Sequence, residues 1–203
     1  MNRAFYALPP LTNSEGVHTN AIYGFTNMLF KMQEEIKPDY IVAAFDKKAP
    51  TFRHKEYEDY KAGRKKMPPE LGEQFPIIKE VLNLLSVNIY EIDGFEADDI
   101  IGTLAKIVDE EDQFIATIVS SDKDLLQLIS DEVIVKLLKQ SGHIMMDKEE
   151  FRKTYKVDPI KMIDLKALMG DPSDHIPGVK GIGEKTAIKI DEYRQKTPFQ
   201  TIE

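Results

Sequence analysis

Residues 87–122, VNIYEIDGFEADDIIGTLAKIVDEEDQFIATIVSSD, decide the fold. Val87 to Ile92 reads as a strand. Beyond it Ala97, Ile100, Ile101, Leu104, Ala105 and Val108 recur at i, i+3, i+4, i+7, i+8 and i+11, the apolar stripe of a helix. Phe114 to Val119 then reads as a second strand. Strand, helix and strand in succession make the crossover unit of a parallel sheet, which predicts an α/β fold. Working outward, Tyr40 to Phe45 (YIVAAF) is a short apolar run best read as a buried parallel strand ending at Asp46. His18 to Gln33 has helical periodicity. A basic, helix-forming stretch runs to about Lys66, MPPEL breaks it, and a second helix spans about Glu73 to Leu85. Asp124 to Ile129 predicts a short helix, Val133 to Leu138 a strand and Ile144 to Met146 a weak one. From Asp147 onward the pattern turns helical. The prediction is a mostly parallel central sheet flanked by helices over residues 1–146, with an α-helical unit appended over 147–203.

The chain has 203 residues, 42% hydrophobic and 31% charged, enough for one substantial core and a small appended unit. With no cysteine there is neither a disulfide framework nor a thiolate metal site. The opening MNRAFYALPPLTNSEG is broken by prolines and polar residues, so it reads as no secretory signal, and no apolar run approaches the roughly 18 residues of a membrane span. The expectation is a cytosolic protein with no membrane partner. A net charge of −8 argues against a nucleic-acid partner, but the charge is uneven. Between Lys47 and Lys66 stand eight basic residues (Lys47, Lys48, Arg53, Lys55, Lys61, Arg64, Lys65, Lys66) against three acids, a basic segment inside an acidic protein.

Eight carboxylates gather at positions that matter: Asp46 after YIVAAF, Glu96, Asp98 and Asp99 in GFEADDIIG, Asp122 and Asp124 in SSDKDLLQ, Asp171 and Asp174 in GDPSDH. Each has an ordinary explanation. Acids in a helix's first turn are favoured by the macrodipole by about 0.3–1 kcal/mol each, Asp122 is a possible N-cap, and Asp147 in DKEE reads as a plain cap with Glu150. Their joint placement is less ordinary. Asp46, the Glu96 group and Asp122 all follow predicted strands, at the edge where open α/β sheets build sites. Carboxylates crowded there repel unless a cation neutralises them, and oxygen donors alone favour Mg²⁺ or Mn²⁺ over zinc.

Two further patterns point toward phosphate. GVKGIGEKTA sets Gly178, Gly181 and Gly183 in a tight turn ahead of a helix, with Lys180, Lys185 and Thr186 beside it. This suits a helix-hairpin-helix turn that holds a DNA backbone without reading its sequence, against the alternative of an ordinary glycine turn. In RHKEYEDYKAGRKK a helix would place Tyr57, Lys61 and Arg64 on one face beside Tyr60, either a solvated face or a cover over the metal site.

The stretches AFYALPPL, GVHTNAIYGF, AFDKKAPTFRHKEYEDYKAGR, FEADDIIGTLA, SSDKDLLQL and ALMGDPSDHIPGVKGIGEKTA, in order over nearly the whole chain, resemble the 5′-nuclease domains of bacterial DNA polymerases I, within the flap endonuclease family. The resemblance implies a PIN-like fold with a helical arch over about residues 50–72. It implies a 5′→3′ exonuclease and flap endonuclease that acts as a monomer on branched or flapped duplex DNA in primer removal and repair, with a separate DNA polymerase as a further partner. It implies two Mg²⁺ ions, replaceable by Mn²⁺, one served mainly by Asp46, Glu96, Asp98 and Asp99, the other by Asp122, Asp124, Asp171 and Asp174. Lys61, Arg64 and Arg3 would contact the scissile phosphate. Arg53 and the arch aromatic Tyr60 would join the DNA-binding set with Gly178, Lys180, Gly181, Gly183, Lys185 and Thr186.

Two departures accompany the resemblance. Family members open with an apolar strand ending in a metal-binding Asp ahead of the position of Arg3, whereas this sequence opens at Met1-Asn2-Arg3, and the family domain continues through further helices beyond the glycine turn. Two expectations follow: an active metal-dependent 5′ nuclease, or a branched-DNA-binding protein that scarcely cuts. An RNA-directed nuclease of the same fold is a third.

Overall fold

The computed structural model describes residues 1–111, 113–139 and 142–197. Its elements run α1 (Asn2–Ala7), α2 (Asn20–Ile36), β1 (Val42–Ala44), α3 (Phe52–Glu56), α4 (Pro69–Gly72), α5 (Gln74–Leu84), β2 (Asn88–Tyr90) and α6 (Ala97–Glu111). They continue with β3 (Ala116–Ser120), β4 (Val133–Lys139), β5 (Gly142–Met146), α7 (Lys148–Tyr155), α8 (Met162–Met169), β6 (Gly170–Asp171), β7 (Ile176–Pro177) and α9 (Glu184–Lys196), with 3₁₀ turns at Asp124–Leu128 and Pro159–Lys161. Two units form, Met1–Phe45 with Lys65–Glu91, and Asp46–Arg64 with Ile92–Glu203.

In the first unit β1 and β2 pair in parallel, Val42 opposite Asn88. Ile41, Ala43 and Phe45 join Leu29, Ile78, Leu82 and Val87 in the core. Val42 is 42% exposed, so the strand is not buried on both faces as its apolar run predicts. Strand side chains alternate, and only one face of this short ladder meets the core. The start of α2 lacks a side-chain cap of its own. Gln74, fully buried, supplies one: its Oε1 accepts the N–H groups of Ala21 (2.8 Å) and Ile22 (3.1 Å), and its Nε2 donates to Asn20 Oδ1 (3.0 Å) and the Glu70 carbonyl (2.8 Å). Two N–H groups that a helix start leaves orphaned are thus paired inside the core.

The second unit holds the larger core. β3 and β4 pair in parallel, β5 adds antiparallel, and Ile118, Val133, Val135, Leu137 and Met146 pack with Ala105, Phe151 and Leu165. Asp147 caps α7, accepting the Glu150 N–H at 2.8 Å, as its sequence context predicts.

Two expectations change. The class is α/β, but among the described residues the strands form three separate ladders, β1–β2 in one unit and β3–β4–β5 and the short β6–β7 hairpin in the other, instead of one continuous sheet. The basic stretch is helical only over α3. Tyr57 leaves it in an extended conformation, residues 58–63 make turns, and Lys61 has φ 58°. Tertiary bonds outcompete the local ladder here: the Lys61 N–H donates to the Asp174 carbonyl (3.1 Å), not back along a helix, and the Tyr57 hydroxyl donates to the His175 carbonyl (3.1 Å).

Candidate active site

The start of α6 organises the first carboxylates. Asp46 Oδ1 accepts the Ala97 N–H at 2.7 Å, and Asp99 Oδ2 accepts the Glu96 N–H at 2.9 Å, so two acids satisfy the orphaned donors of this helix start. Arg53 grips Asp99 with two hydrogen bonds (2.8 and 2.7 Å), which hold that carboxyl below its usual range. Glu96 is buried, where it accepts the Tyr60 hydroxyl (3.0 Å) and the Lys61 ammonium (2.7 Å). Asp98 keeps an exposed edge, yet surrounding protein first, and the charges of Asp122 and Asp46 next, push it up to about 6.

Asp122 and Asp124 follow β3, Asp171 ends β6, and Asp174 lies in the turn between β6 and β7. Asp122 accepts the Asp124 N–H at 2.9 Å, the turn role its position allows. The Lys166 ammonium stands 2.6 Å from Asp124 Oδ1 and 2.9 Å from Asp171 Oδ2. Burial raises Asp171, but the Ser173 hydroxyl and Lys166 outweigh it and bring that carboxyl to about 2. Asp174 pairs with Arg64. A cleft of about 300 Å³ has Asp46, Lys48, His54, Lys61, Arg64 and Glu96 among its walls, while Asp98, Asp99, Asp122, Asp124, Asp171 and Asp174 lie outside its lining.

Lys61 and Arg64 line this cleft, carried by a turn and not by a helix face. Tyr60 is corrected: it is 6% exposed, its hydroxyl is committed to Glu96, and burial pushes that hydroxyl far above its ordinary range, so its ring is not offered to a base. Arg53 is occupied by Asp99 and lies 4.5 Å over the Phe52 ring. Arg3 lies on α1 in the first unit. Lys166 and His175 escape sequence reasoning, since their contacts with Asp124, Tyr57 and Gly63 are made across the fold, whereas Ser173 bonds Asp171 two residues away in a turn that D-P-S-D can signal.

Among the described residues no three carboxylate or imidazole groups stand ready to hold a metal ion. Arg53, Lys61, Arg64 and Lys166 pair instead with Asp99, Glu96, Asp174, Asp124 and Asp171. The donor chemistry nonetheless fits a divalent cation. All donors are hard oxygens, and Asp98 is raised by burial first and by the charges of Asp122 and Asp46 next.

The glycine turn follows the β6–β7 hairpin. A Cβ on Gly178 would run into the backbone of Met169 and Gly170, and Gly181 sits at φ 82°, so both positions need glycine. Gly183 caps α9 and accepts the N–H groups of Thr186 (3.0 Å) and Ala187 (2.9 Å). Lys180, Lys185 and Thr186 are exposed. No helix among the described residues is long and apolar enough to cross a membrane.

Residues 1–156 match the family described as 5′-3′ exonuclease, N-terminal resolvase-like domain, and residues 157–195 match 5′-3′ exonuclease, C-terminal SAM fold. The chain is 50% identical over 190 residues to DNA polymerase I of Bacillus subtilis, covering 93% of this chain and 22% of that protein. It is 46% identical over 188 residues to a 5′-3′ exonuclease of Aquifex aeolicus, covering 93% of this chain and 64% of the relative. Among solved structures, a T5 protein co-crystallised with metal ions superposes with a TM-score of 0.70 at 25% identity, over 84% of this chain and 67% of that one. The bacteriophage T5 flap endonuclease in a pseudo-enzyme–product complex with DNA and metal ions gives 0.68 at 23% identity, over 89% and 72%.

Proposed function

We propose, since this chain belongs to the 5′-3′ exonuclease family, that it is a structure-selective 5′ nuclease, hydrolysing DNA phosphodiesters as a 5′→3′ exonuclease and flap endonuclease in primer removal and repair. The observation that carries this reading is the meeting of Asp46 and Glu96 with Lys61 and Arg64 in one cleft. Carboxylates and fixed cations side by side are what phosphoryl chemistry requires: a place for metal and a place for phosphate charge.

Asp46, Glu96, Asp98 and Asp99 would hold one divalent cation and Asp122, Asp124, Asp171 and Asp174 a second, Mg²⁺ or in its place Mn²⁺, which when bound supply an activated water and stabilise charge at phosphorus. Lys61 and Arg64 exchange Glu96 and Asp174 for the oxygens of the scissile phosphate, with Arg3 assisting. Tyr60 orients Glu96 through its hydroxyl. Arg53 fixes Asp99 by its two-pronged contact, and on the family resemblance it would also join the DNA-binding set. Gly178, Lys180, Gly181, Gly183, Lys185 and Thr186 grip the duplex backbone away from the break. In this scheme residues 1–146 form the nuclease core and 147–203 the DNA-binding unit. The protein works as a monomer in the cytosol on branched or flapped duplex DNA, beside a DNA polymerase.

Cleavage of a 5′-flap substrate should require Mg²⁺ or Mn²⁺ and disappear in Asp122→Ala. No metal-dependent cutting at high enzyme concentration would sink the reading. One observation favours a second reading, tight binding of branched DNA with little cutting: the cations that already sit on the carboxylates. Flap binding that persists without cleavage would select it, and an RNA flap in the same assay decides between DNA and RNA.

A further inference from the structure

We infer that His175 is a positioning residue, a latch that holds the basic turn 57–64 against the Asp171–His175 segment so that Lys61 and Arg64 stay aimed into the cleft. The inference rests on the nuclease reading for its kinetic consequence, but the latch itself is a matter of contacts. Four ties converge on two consecutive residues. The Tyr57 hydroxyl donates to the His175 carbonyl (3.1 Å), the Gly63 N–H donates to His175 Nδ1 (3.0 Å), the Lys61 N–H donates to the Asp174 carbonyl (3.1 Å), and Arg64 pairs with the Asp174 carboxylate. Three of the four use only backbone or groups outside the proposed chemistry. They persist when the Lys61 and Arg64 side chains leave their carboxylates for a phosphate.

Lys61 and His175 both have φ 58°, a left-handed conformation that residues with a side chain keep only where surrounding contacts hold it. The two facing bends are therefore held by each other. Gly63 shows how closely they fit. Its φ is ordinary, yet a Cβ placed on it would lie inside van der Waals contact with Cε1 and Nε2 of the His175 ring. This position is glycine because a ring occupies the space. A cavity of about 270 Å³ between Tyr57, Asp59, Ala62 and His175 leaves room for the ring to swing aside. A methyl group at 63 should then open the latch without unfolding the protein.

The pair predicts a specific non-additivity. Trypsin, which cuts after Lys61, Arg64, Lys65 and Lys66, reports opening of the turn in the full chain without DNA. Gly63→Ala and His175→Ala should each speed cutting in this turn about tenfold or more, with circular dichroism unchanged. The double variant should match His175→Ala alone, because the new methyl fills the vacated space. His175→Asn should restore protection, since its Oδ1 stands where Nδ1 accepts the Gly63 N–H. On a 5′-flap, His175→Ala should lower kcat about tenfold or more, as displaced catalytic groups do, with KM within about twofold, and Asn should recover most of it. Independent, multiplying effects of the two substitutions, or unchanged protection, would overturn the latch. Faster proteolysis with unchanged kcat would overturn its positioning role. Absence of cleavage by the unmodified chain would count against the nuclease reading, while the protease result still decides the latch.

Discussion

At Asp98 burial first, and the negative charges of Asp122 and Asp46 next, raise the carboxyl against the opposing charge of Lys61. Held near 6 when folded, against an ordinary aspartate value of 3.8, it keeps its proton longer in the folded than in the unfolded chain. The sign follows from linkage: this group makes metal-free stability fall as pH rises between about 4 and 6, with no further loss above. Asp171, held at about 2, acts oppositely; its contribution is present above 3.8 and lost as pH falls toward 2. Urea unfolding of metal-free protein at pH 4 and pH 7 should show Asp98→Asn gaining stability relative to the unmodified chain at pH 7 and not at pH 4. An equal gain at both would show that Asp98 bears no trapped charge. Lys166 is the counterpart on the second set of acids. Its two partly exposed ion pairs, each worth at most about 1 kcal/mol, compete with a metal for Asp124 and Asp171. Lys166→Met should tighten Mn²⁺ binding roughly tenfold by calorimetry, whereas weaker binding would mean that the ammonium orients those carboxylates instead.

Among the elements, the beginning of α2 depends on a side chain from α5. Replacing Gln74 with Leu keeps the volume and removes the acceptor, leaving the Ala21 and Ile22 N–H groups unpaired at a buried site. A loss of about 2–4 kcal/mol is expected from two such donors, read as a fall in the urea midpoint; a loss below about 0.5 kcal/mol would show that the helix start finds other partners. The turn before α9 is tested differently. If Lys180 and Lys185 each neutralise a phosphate, changing both to Ala should make the slope of log affinity against log salt shallower by about 1.8 for duplex DNA. An unchanged slope would remove this turn from the interface.

For the molecule as a whole, the legible features were those carried by periodicity. Strand, helix and strand over residues 87–122 appear as β2, α6 and β3, and the apolar stripe of α6 turns Ile100 and Ala105 inward. Asp46, Glu96, Asp98, Asp99 and Asp122 stand out in the sequence because acids after strands and at a helix start leave a local mark, whereas Asp171 and Asp174 carry no such mark. The strand partners could not be read, since β1–β2 and β3–β4–β5 differ from one sheet only in which edges bond. The basic stretch from Arg53 to Lys66 has good helical composition, and it bends because bonds from Lys61 and Gly63 to Asp174 and His175 replace local ones. Tyr60 looks like a surface aromatic until Glu96 is found beneath it. By itself, the sequence determined the element types, the oxygen-rich donor set and the kinship with 5′-3′ exonucleases, because all of these depend on residue kinds and spacings along the chain. Only the tertiary structure decided which cation sits on which carboxylate and that Gly63 and His175, 112 residues apart, share one space. Those pairings depend on distances across the fold, and no local pattern encodes them.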